Sequence, residues 1–297
     1  MKQENDLGRD GVPGLVLRIA VPSMLAQFVS VLYSIVDRMF VGNIPGSGSL
    51  SLAGVGICGP VVTMVGAFAF LVGIGGAPLM GISLGEGRKE RASQVLSNCF
   101  MLLCGIAVAV TGLTLALKGP MLRLFGARAA TYPYAAQYFT VYICGTVFAL
   151  LATGMNQFII SQGYAKAGMG SVMLGAVLNI LLDPLFIFVF DMGIQGAALA
   201  TVLSQAASAV WVVSFLCSKH SVLRISLPDL RPRADMIGRI AALGISPFIM
   251  QITESAISLV LNNGLQTYGG DLYVGSMTIL NSVMQIAFSL NNGFAGG

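Results

Sequence analysis

The chain has 297 residues, of which 56% are hydrophobic and only 9% are charged. Soluble domains carry roughly 25% charged residues, so this composition excludes a soluble globular protein. The net charge of +4 is small, and the single histidine, His220, excludes a metal site built from several histidines. We expect an all-α polytopic membrane protein with no organic cofactor and no nucleic-acid partner, because helices satisfy their own backbone groups within a bilayer.

Eight apolar segments of the length needed to cross a bilayer follow one another along the chain. They run over residues 15–41, 52–84, 94–117, 134–160, 168–190, 194–217, 237–263 and 272–297. The first 14 residues are polar and lack the apolar core and cleavage site of a secretory signal peptide. The hydropathy pattern therefore predicts eight membrane-spanning helices.

Positive charge is unevenly divided between the two ends of these predicted helices. Twelve of the 16 lysines and arginines lie at the N-terminus or in alternate connections, and four lie on the other side. Because cytoplasmic loops carry an excess of positive charge, we expect a cytoplasmic N-terminus in the cell inner (plasma) membrane. The longest polar connection, residues 218–236, is predicted to be a cytoplasmic linker, and its basic residues can also contact anionic lipid headgroups.

A weak internal repeat spans this linker. A shift of 225 residues aligns Pro22 and Asp37 with Pro247 and Asn262, and a shift of 220 residues aligns the second apolar segment with the eighth. The difference between the two shifts falls in the loop between the paired helices. Repeats of one helical bundle are common in secondary transporters.

The repeat divides the chain into three predicted parts. Residues 1–217 form a complete six-helix N-lobe, 218–236 form the linker, and 237–297 form a partial C-lobe of two helices. The second unit stops where the first unit continues, so we expect a C-terminally truncated piece of a roughly twelve-helix protein. The remaining C-lobe helices are then an expected partner if another chain supplies them.

The fifth apolar segment contains Asn179, Asp183 and Pro184. Asn179 and Asp183 are four residues apart and share a helix face, while Pro184 leaves the Ile180 carbonyl without its helical donor. Thr201 lies level with Asp183 on the next helix, ~10–12 Å from the end of the hairpin at a rise of ~1.5 Å per residue. Polar and ionisable residues at this depth are functional candidates.

Asp37, in the first segment, lies ~8 Å below the same end and is expected to converge with Asn179, Asp183 and Thr201. Their carboxylate, amide and hydroxyl oxygens suit a hard cation such as Na⁺, and buried carboxyl groups suit a proton. Two structural alternatives stay open. Asp37 can pair with Arg38 at the membrane interface, and Asn179 and Thr201 can form a purely structural hydrogen bond between helices.

Further polar residues lie in the seventh and fourth segments. Glu254 is interpreted as a third buried acid, which binds a cationic substrate, carries a proton or forms a structural hydrogen bond. Asn156 and Gln157 are candidates for lining a water-filled cavity or for capping a helix end. Prolines within apolar segments bend helices and can serve as hinges. The hinge candidates are Pro22, Pro184 and Pro247.

Signatures of ATP-driven transport and of catalysis are absent from the sequence. The glycine-rich stretch GISLGEGRK at 81–89 lacks the spacing of a phosphate-binding P-loop. No combination of His, Asp and Ser or of metal ligands supports a membrane enzyme. Uphill transport by this chain therefore requires an ion gradient.

Three stretches, SIVDRMFVGNI, LAGVGICGP and NILLDPLFIFVFDMGIQGAALATVLSQ, resemble the multidrug and toxic compound extrusion (MATE) transporters. The resemblance runs from about residue 12 to the C-terminus. It implies two six-helix lobes related by pseudo-two-fold symmetry. It also places the family's cation site on Asp37, Asn179, Asp183 and Thr201. Some members use an acid of the seventh helix, for which Glu254 is the candidate.

The resemblance further implies an antiporter, driven by Na⁺ or H⁺, that exports drugs or other amphipathic compounds by alternating access. We expect its substrate to be a small organic cation. One alternative is a lipid-linked oligosaccharide flippase of related architecture, which is expected to line its cavity with more basic residues. The other is an inactive structural fragment, since eight helices without the rest of the C-lobe cannot close a cavity between two lobes.

Overall fold

The computed structural model describes residues 12–219, 221–225 and 233–296, and within these ranges the chain is helical with no strand. The helices are α1 (Val12–Gly42), α2 (Gly48–Gly85), α3 (Lys89–Ala116), α4 (Lys118–Leu124), α5 (Tyr132–Cys144), α6 (Thr146–Ser161), α7 (Ala165–Pro184), α8 (Gly193–Cys217) and α9 (Ala234–Gly296). A π-helical stretch, Leu185–Val189, continues α7. The predicted all-α class is confirmed.

The helices account for seven of the eight predicted membrane spans. Among the described residues, six helices are long and apolar enough to cross a membrane, and the bent pair α5–α6 makes a seventh span. The eighth predicted segment forms the part of α9 beyond Gly270, where the backbone leaves helical geometry at φ 70° and ψ −166°. Glycine adopts this positive φ without steric cost, so the two predicted helices join at this residue without a separate loop.

The fourth predicted segment, 134–160, differs from the expectation of one helix. It consists of α5 and α6, which are bent by 56° at a break of one residue, Gly145. The side chain of Val202 on α8 occupies the space that a Cβ at Gly145 would need. The short helix α4, in the connection before α5, was not predicted.

The connection between α8 and α9 is partly described and partly packed against the bundle. Residues 220 and 226–232 of the predicted linker lie outside the described residues. The buried Gln162 Oε1 accepts hydrogen bonds from Ser221 Oγ at 2.9 Å and from Leu223 N at 3.0 Å. α9 begins at Ala234, earlier than the predicted boundary at residue 237.

α2 lies at the centre of the bundle and packs against α3, α5, α6 and α9. The apolar core lies around it and contains large side chains with less than 2% exposure, including Leu96, Leu103, Phe139, Leu150, Met155 and Phe158. At the crossing of α2 and α9, a Cβ on Gly75 would meet the Ile240 carbonyl oxygen, and one on Gly244 would meet the Leu71 carbonyl oxygen. Small residues at such crossings allow two helix backbones to approach closely.

Candidate functional site

A cavity of about 890 Å³ lies between α1, α2, α6, α7, α8 and α9. Its wall combines apolar side chains with hydroxyl and amide groups, and none of its described lining residues is charged. The polar lining residues include Gln27, Ser30, Asn156, Gln157, Asn179 and Gln251. Such a wall suits an organic molecule that presents both apolar surface and hydrogen-bonding groups.

One polar stripe of this wall comes from α8. Thr201, Ser204, Gln205 and Ser208 all line the cavity, and their spacing of three and four residues places them on one helix face. Only Thr201 was predicted from the sequence. Polar residues that recur at helical spacing in an otherwise apolar helix are the signal that identifies the other three.

Asn179, Asp183 and Thr201 are joined by hydrogen bonds. Asn179 Nδ2 donates to Asp183 Oδ1 at 3.2 Å and to Thr201 Oγ1 at 3.5 Å. Thr201 Oγ1 donates in turn to the Ala197 carbonyl at 3.0 Å. Asn179 and Asp183 are 1% and 0% exposed. The structure therefore brings these three residues together at one depth, as the helix-rise argument anticipated.

Asp37 of α1 completes this cluster. Its carboxyl group lies close enough to that of Asp183 for the two groups to interact, and the residue is only 9% exposed. Asp37 is buried beside Asp183 and also interacts electrostatically with its neighbour Arg38, so the alternative of a pair with Arg38 stays open. We call Asp37, Asn179, Asp183 and Thr201 the oxygen cluster.

Three oxygens of the oxygen cluster are unsatisfied. Asp37 Oδ1, Asp183 Oδ2 and Asn179 Oδ1 are buried and accept no hydrogen bond from any described residue. Burying such acceptors without a partner costs free energy, and a proton or a cation would satisfy them. The cluster offers two carboxylates, an amide and a hydroxyl as possible ligands, and hard cations prefer such oxygen ligands.

The cavity and the oxygen cluster share two residues. Asn179 and Thr201 line the cavity, whereas Asp37 and Asp183 are not part of its described lining. Asn179 also donates to Asp183, so one hydrogen bond connects the cavity wall to a buried carboxyl group.

The structure places the remaining predicted polar residues in two different surroundings. Asn156 and Gln157 line the cavity, and Asn156 Oδ1 accepts a hydrogen bond from Ser171 Oγ at 3.4 Å. Glu254 is not buried among the described residues, since its side chain is exposed and outside the cavity lining, and its role in binding or proton transfer stays a prediction. Its neighbour Ser255 faces α2 instead, and adjacent residues of a helix point in directions about 100° apart.

The hinge candidates occupy three different positions. Pro22 is buried within α1, and Pro247 lies within α9 and lines the cavity. Pro184 ends α7 directly before the π-helical stretch, in which Phe190 N donates to the Leu185 carbonyl five residues earlier at 2.9 Å. Because proline cannot donate to the carbonyl four residues before it, a wider helical turn directly after Asp183 is a natural outcome. A hinge role for these prolines stays a prediction.

The sequence matches known membrane transporters. The family model described as MatE matches residues 22–185. The chain is 29% identical over 262 residues to the multidrug export protein MepA of Staphylococcus aureus (strain NCTC 8325 / PS 47), which covers 86% of this chain and 56% of that protein. The chain thus spans about half the length of the curated relatives it matches.

Solved structures match the fold. The MATE multidrug transporter DinF-BH, solved as a complex, has a TM-score of 0.91 and 34% identity, covering 97% of this chain and 64% of that chain. Multidrug resistance MATE family transporters of the MOP superfamily have been solved in an outward-facing and in an inward-facing conformation. The TM-scores are 0.85 and 0.79 at 26% identity, covering 97% and 91% of this chain and 63% and 64% of those chains.

These matches confirm the predicted resemblance to the MATE transporters. The matched range of the family model includes Asp37, Asn179 and Asp183. The fold, with its apolar helices around a cavity, agrees with the solved structures over nearly the whole chain. The chain belongs to the MatE family.

Proposed function

We propose that the protein to which this chain belongs exports amphipathic organic compounds in exchange for Na⁺ or H⁺. The observation that carries the proposal is the shared wall formed by Asn179 and Thr201, which line the cavity and connect to the buried Asp183. An exchanger needs such proximity, because the ion drives export only if it changes the affinity of the cavity for its substrate.

The oxygen cluster supports the ion step. Asp37 and Asp183 lie close enough to interact, so two ionised carboxylates there would repel each other across a poorly solvated gap. A proton or Na⁺ between them removes that repulsion and satisfies the unpaired oxygens. Ion binding therefore favours close packing of α1 against α7, and ion release favours their separation.

Movement of α1 changes the cavity, because α1 forms part of the cavity wall. Ser30 and Tyr33, two turns and one turn before Asp37, line the cavity, and Asn179 lines it from α7. A shift of α1 relative to α7 therefore changes both the shape of the cavity and the direction of its hydrogen-bonding groups. This is the coupling that we propose between the ion and the exported molecule.

The cavity supports an amphipathic substrate. Its volume of about 890 Å³ falls within the range of roughly 300–1,000 Å³ found for small-molecule sites. Its described lining contains no charged side chain, so the nearest buried negative charge belongs to Asp37 and Asp183 behind Asn179. A cationic substrate and the coupling ion are then both attracted by the negative charge of these two carboxylates. Binding of one therefore disfavours binding of the other, as exchange requires.

We further propose that the two lobes of the whole protein alternate between outward- and inward-open states in the plasma membrane. The similarity of this chain to one MATE structure in an outward-facing and to one in an inward-facing conformation supports this idea. Pro22, Pro184 and Pro247 are the proposed bending points. The described cavity lining carries no basic residue that would bind a pyrophosphate, so nothing in it favours the flippase alternative.

The test is ethidium export by the full-length protein in everted membrane vesicles, with Asp37→Asn and Asp183→Asn compared with wild type. We expect each variant to reduce gradient-driven ethidium uptake at least tenfold, because each removes a carboxylate from the oxygen cluster. Imposed sodium and pH gradients, applied separately in proteoliposomes, distinguish the coupling ion.

A matched control is Asp191→Asn in the turn before α8. Asp191 is exposed and has a positive φ of 50°, which asparagine tolerates well. This control loses one carboxylate from the same hairpin but not from the oxygen cluster, so we expect wild-type export. Wild-type export by both Asp37→Asn and Asp183→Asn would refute the proposed coupling site.

A further inference from the structure

A second cleft, of about 750 Å³, lies where the α2–α3 turn meets the start of α9. Its charged lining residues are Arg88, Lys89, Arg91 and Arg233, with Glu90 and Asp235 as the acids among its described lining. Basic side chains therefore outnumber acidic ones. The lining of this cleft shares no residue with the cavity or with the oxygen cluster. We call it the basic cleft.

Arg233 is held in place at the edge of the basic cleft. Its backbone N donates to Asn98 Oδ1 at 3.1 Å, and its Nη1 donates to Gln94 Oε1 at 3.0 Å. Asn98 is 1% exposed and is itself anchored, since its Nδ2 donates to the Gln94 carbonyl at 2.9 Å. A guanidinium that is positioned in advance loses less conformational freedom when it binds an anion.

The basic side chains contribute unequally. Arg88 Nη1 lies 3.4 Å from Glu86 Oε2, so part of its charge is already compensated. The side chains of Lys89 and Arg91 form no ion pair or hydrogen bond among the described residues, and they stand in the first turn of α3 beside Arg233. The side chains of Lys89, Arg91 and Arg233 therefore supply positive charge that no ion pair among the described residues engages, and the positive ends of the α3 and α9 dipoles add to their field.

The position of the basic cleft indicates a lipid rather than a soluble anion. α2 ends at Gly85, α3 begins at Lys89 and α9 begins at Ala234, so three membrane-crossing helices end at this level. Ile82, one turn before the cleft on α2, is 60% exposed and continues the apolar surface up to the charged residues. Basic pockets between membrane helices at the level of the headgroups bind acidic lipids.

We propose that the basic cleft binds the phosphate group of an anionic lipid headgroup, with Lys89, Arg91 and Arg233 as its ligands. The lipid lies with its acyl chains along the exposed apolar surface next to α2. Its phosphate bridges the first turn of α3 to Arg233, the residue that precedes α9. The lipid therefore fastens the end of the predicted linker to the N-lobe. This proposal does not depend on the exported substrate or on the coupling ion.

The test is a lipid titration of the purified chain. The protein is delipidated in a non-ionic detergent and titrated with dioleoylphosphatidylglycerol, and bound lipid is counted by native mass spectrometry. Each basic residue near an anionic lipid surface contributes about fivefold in affinity. We therefore expect Lys89→Gln and Arg91→Gln each to weaken lipid binding about fivefold, and the double variant about 25-fold.

Arg128→Gln is the matched control, because it removes one exposed positive charge outside the cleft and outside the linker, in the turn before α5. We expect it to bind phosphatidylglycerol like wild type. Dioleoylphosphatidylcholine should bind much more weakly than phosphatidylglycerol, and inorganic phosphate should compete only at far higher concentration. Equal binding by the cleft variants and the control would overturn the proposal. Phosphate binding as tight as that of the lipid would overturn the lipid assignment.

Arg233→Gln is a separate probe, since Arg233 also holds the start of α9 through its hydrogen bonds. We expect the same loss of lipid binding and a lower melting temperature in the lipid-free state. Lys89→Gln and Arg91→Gln should leave that melting temperature unchanged, because their side chains hold no described structural contact. The two readouts separate loss of the lipid site from loss of folding.

Discussion

Gly244→Ala is the substitution that most directly tests how α9 sits on the rest of the bundle. The added methyl group would meet the Leu71 carbonyl oxygen on α2, and the Leu71 carbonyl carbon and Cα would lie 2.7 and 2.9 Å away. All three are backbone atoms, so no side-chain rotation relieves the overlap. The two helices must separate instead.

The magnitude of this effect follows from two opposing contributions. Overpacking a well-packed site costs about 1–3 kcal/mol. Replacing glycine by alanine within a helix returns up to about 1 kcal/mol through backbone entropy. The hydrogen bonds from Ser255 Oγ to the Pro60 carbonyl at 2.6 Å and from Asn262 Nδ2 to the Gly56 carbonyl at 3.4 Å lie on the same interface and resist separation. We expect a net destabilisation of about 1–2 kcal/mol.

The control is Gly66→Ala in α2, where no atom lies within 4 Å of the added Cβ. It keeps the gain in backbone entropy and lacks the overlap, so its stability should equal or exceed that of wild type. The free energy of unfolding of both variants is measured by denaturant titration in mixed micelles. If Gly244→Ala is as stable as Gly66→Ala, the close α2–α9 crossing described above is incorrect.

Two further substitutions test other parts of the fold. Gln162→Leu removes the hydrogen-bond acceptor of Leu223 N, and Leu223 is only 3% exposed. We expect the free energy of unfolding to fall by about 1–3 kcal/mol and the Leu223 amide hydrogen to exchange faster. Exposed Gln137 provides the control Gln137→Leu, and equal exchange in both variants would contradict the anchoring. Phe139→Ala empties a 0% exposed core position and should cost about 3–5 kcal/mol. Leu124→Ala, at a residue that is 61% exposed, should change stability by less than about 0.5 kcal/mol, and similar melting temperatures for these two variants would contradict the described core.

Much of the architecture was predictable, because runs of about 20 apolar residues identify membrane helices from local sequence alone. The six-helix part of the chain appears at nearly the predicted boundaries, and α8 ends at Cys217 as expected. The bend at Gly145 was not predictable from hydropathy, since apolar residues continue on both sides of it. It depends on Val202 of a neighbouring helix, which is a contact between distant segments.

The oxygen cluster was predictable for a similar local reason. Helical rise sets the depth of Asp37, Asp183 and Thr201, and a short hairpin keeps α7 and α8 adjacent. The direction of Glu254 was not predictable, because depth along a helix contains no information about its rotation. Rotation of α9 is decided by its packing on α2, where Gly75 and Gly244 bring the backbones together.

The sequence by itself determined the membrane class, the helical segments and the depth of the buried acids, since these follow from composition and helix geometry. Only the tertiary structure decided which polar faces enclose the cavity, and it alone joined Arg233 to Gln94, 139 residues away in the chain, at the basic cleft. The physical reason is that helix rotation and tilt depend on how distant surfaces pack. Lipid solvates any apolar face almost equally well, so hydropathy does not determine which faces pack together.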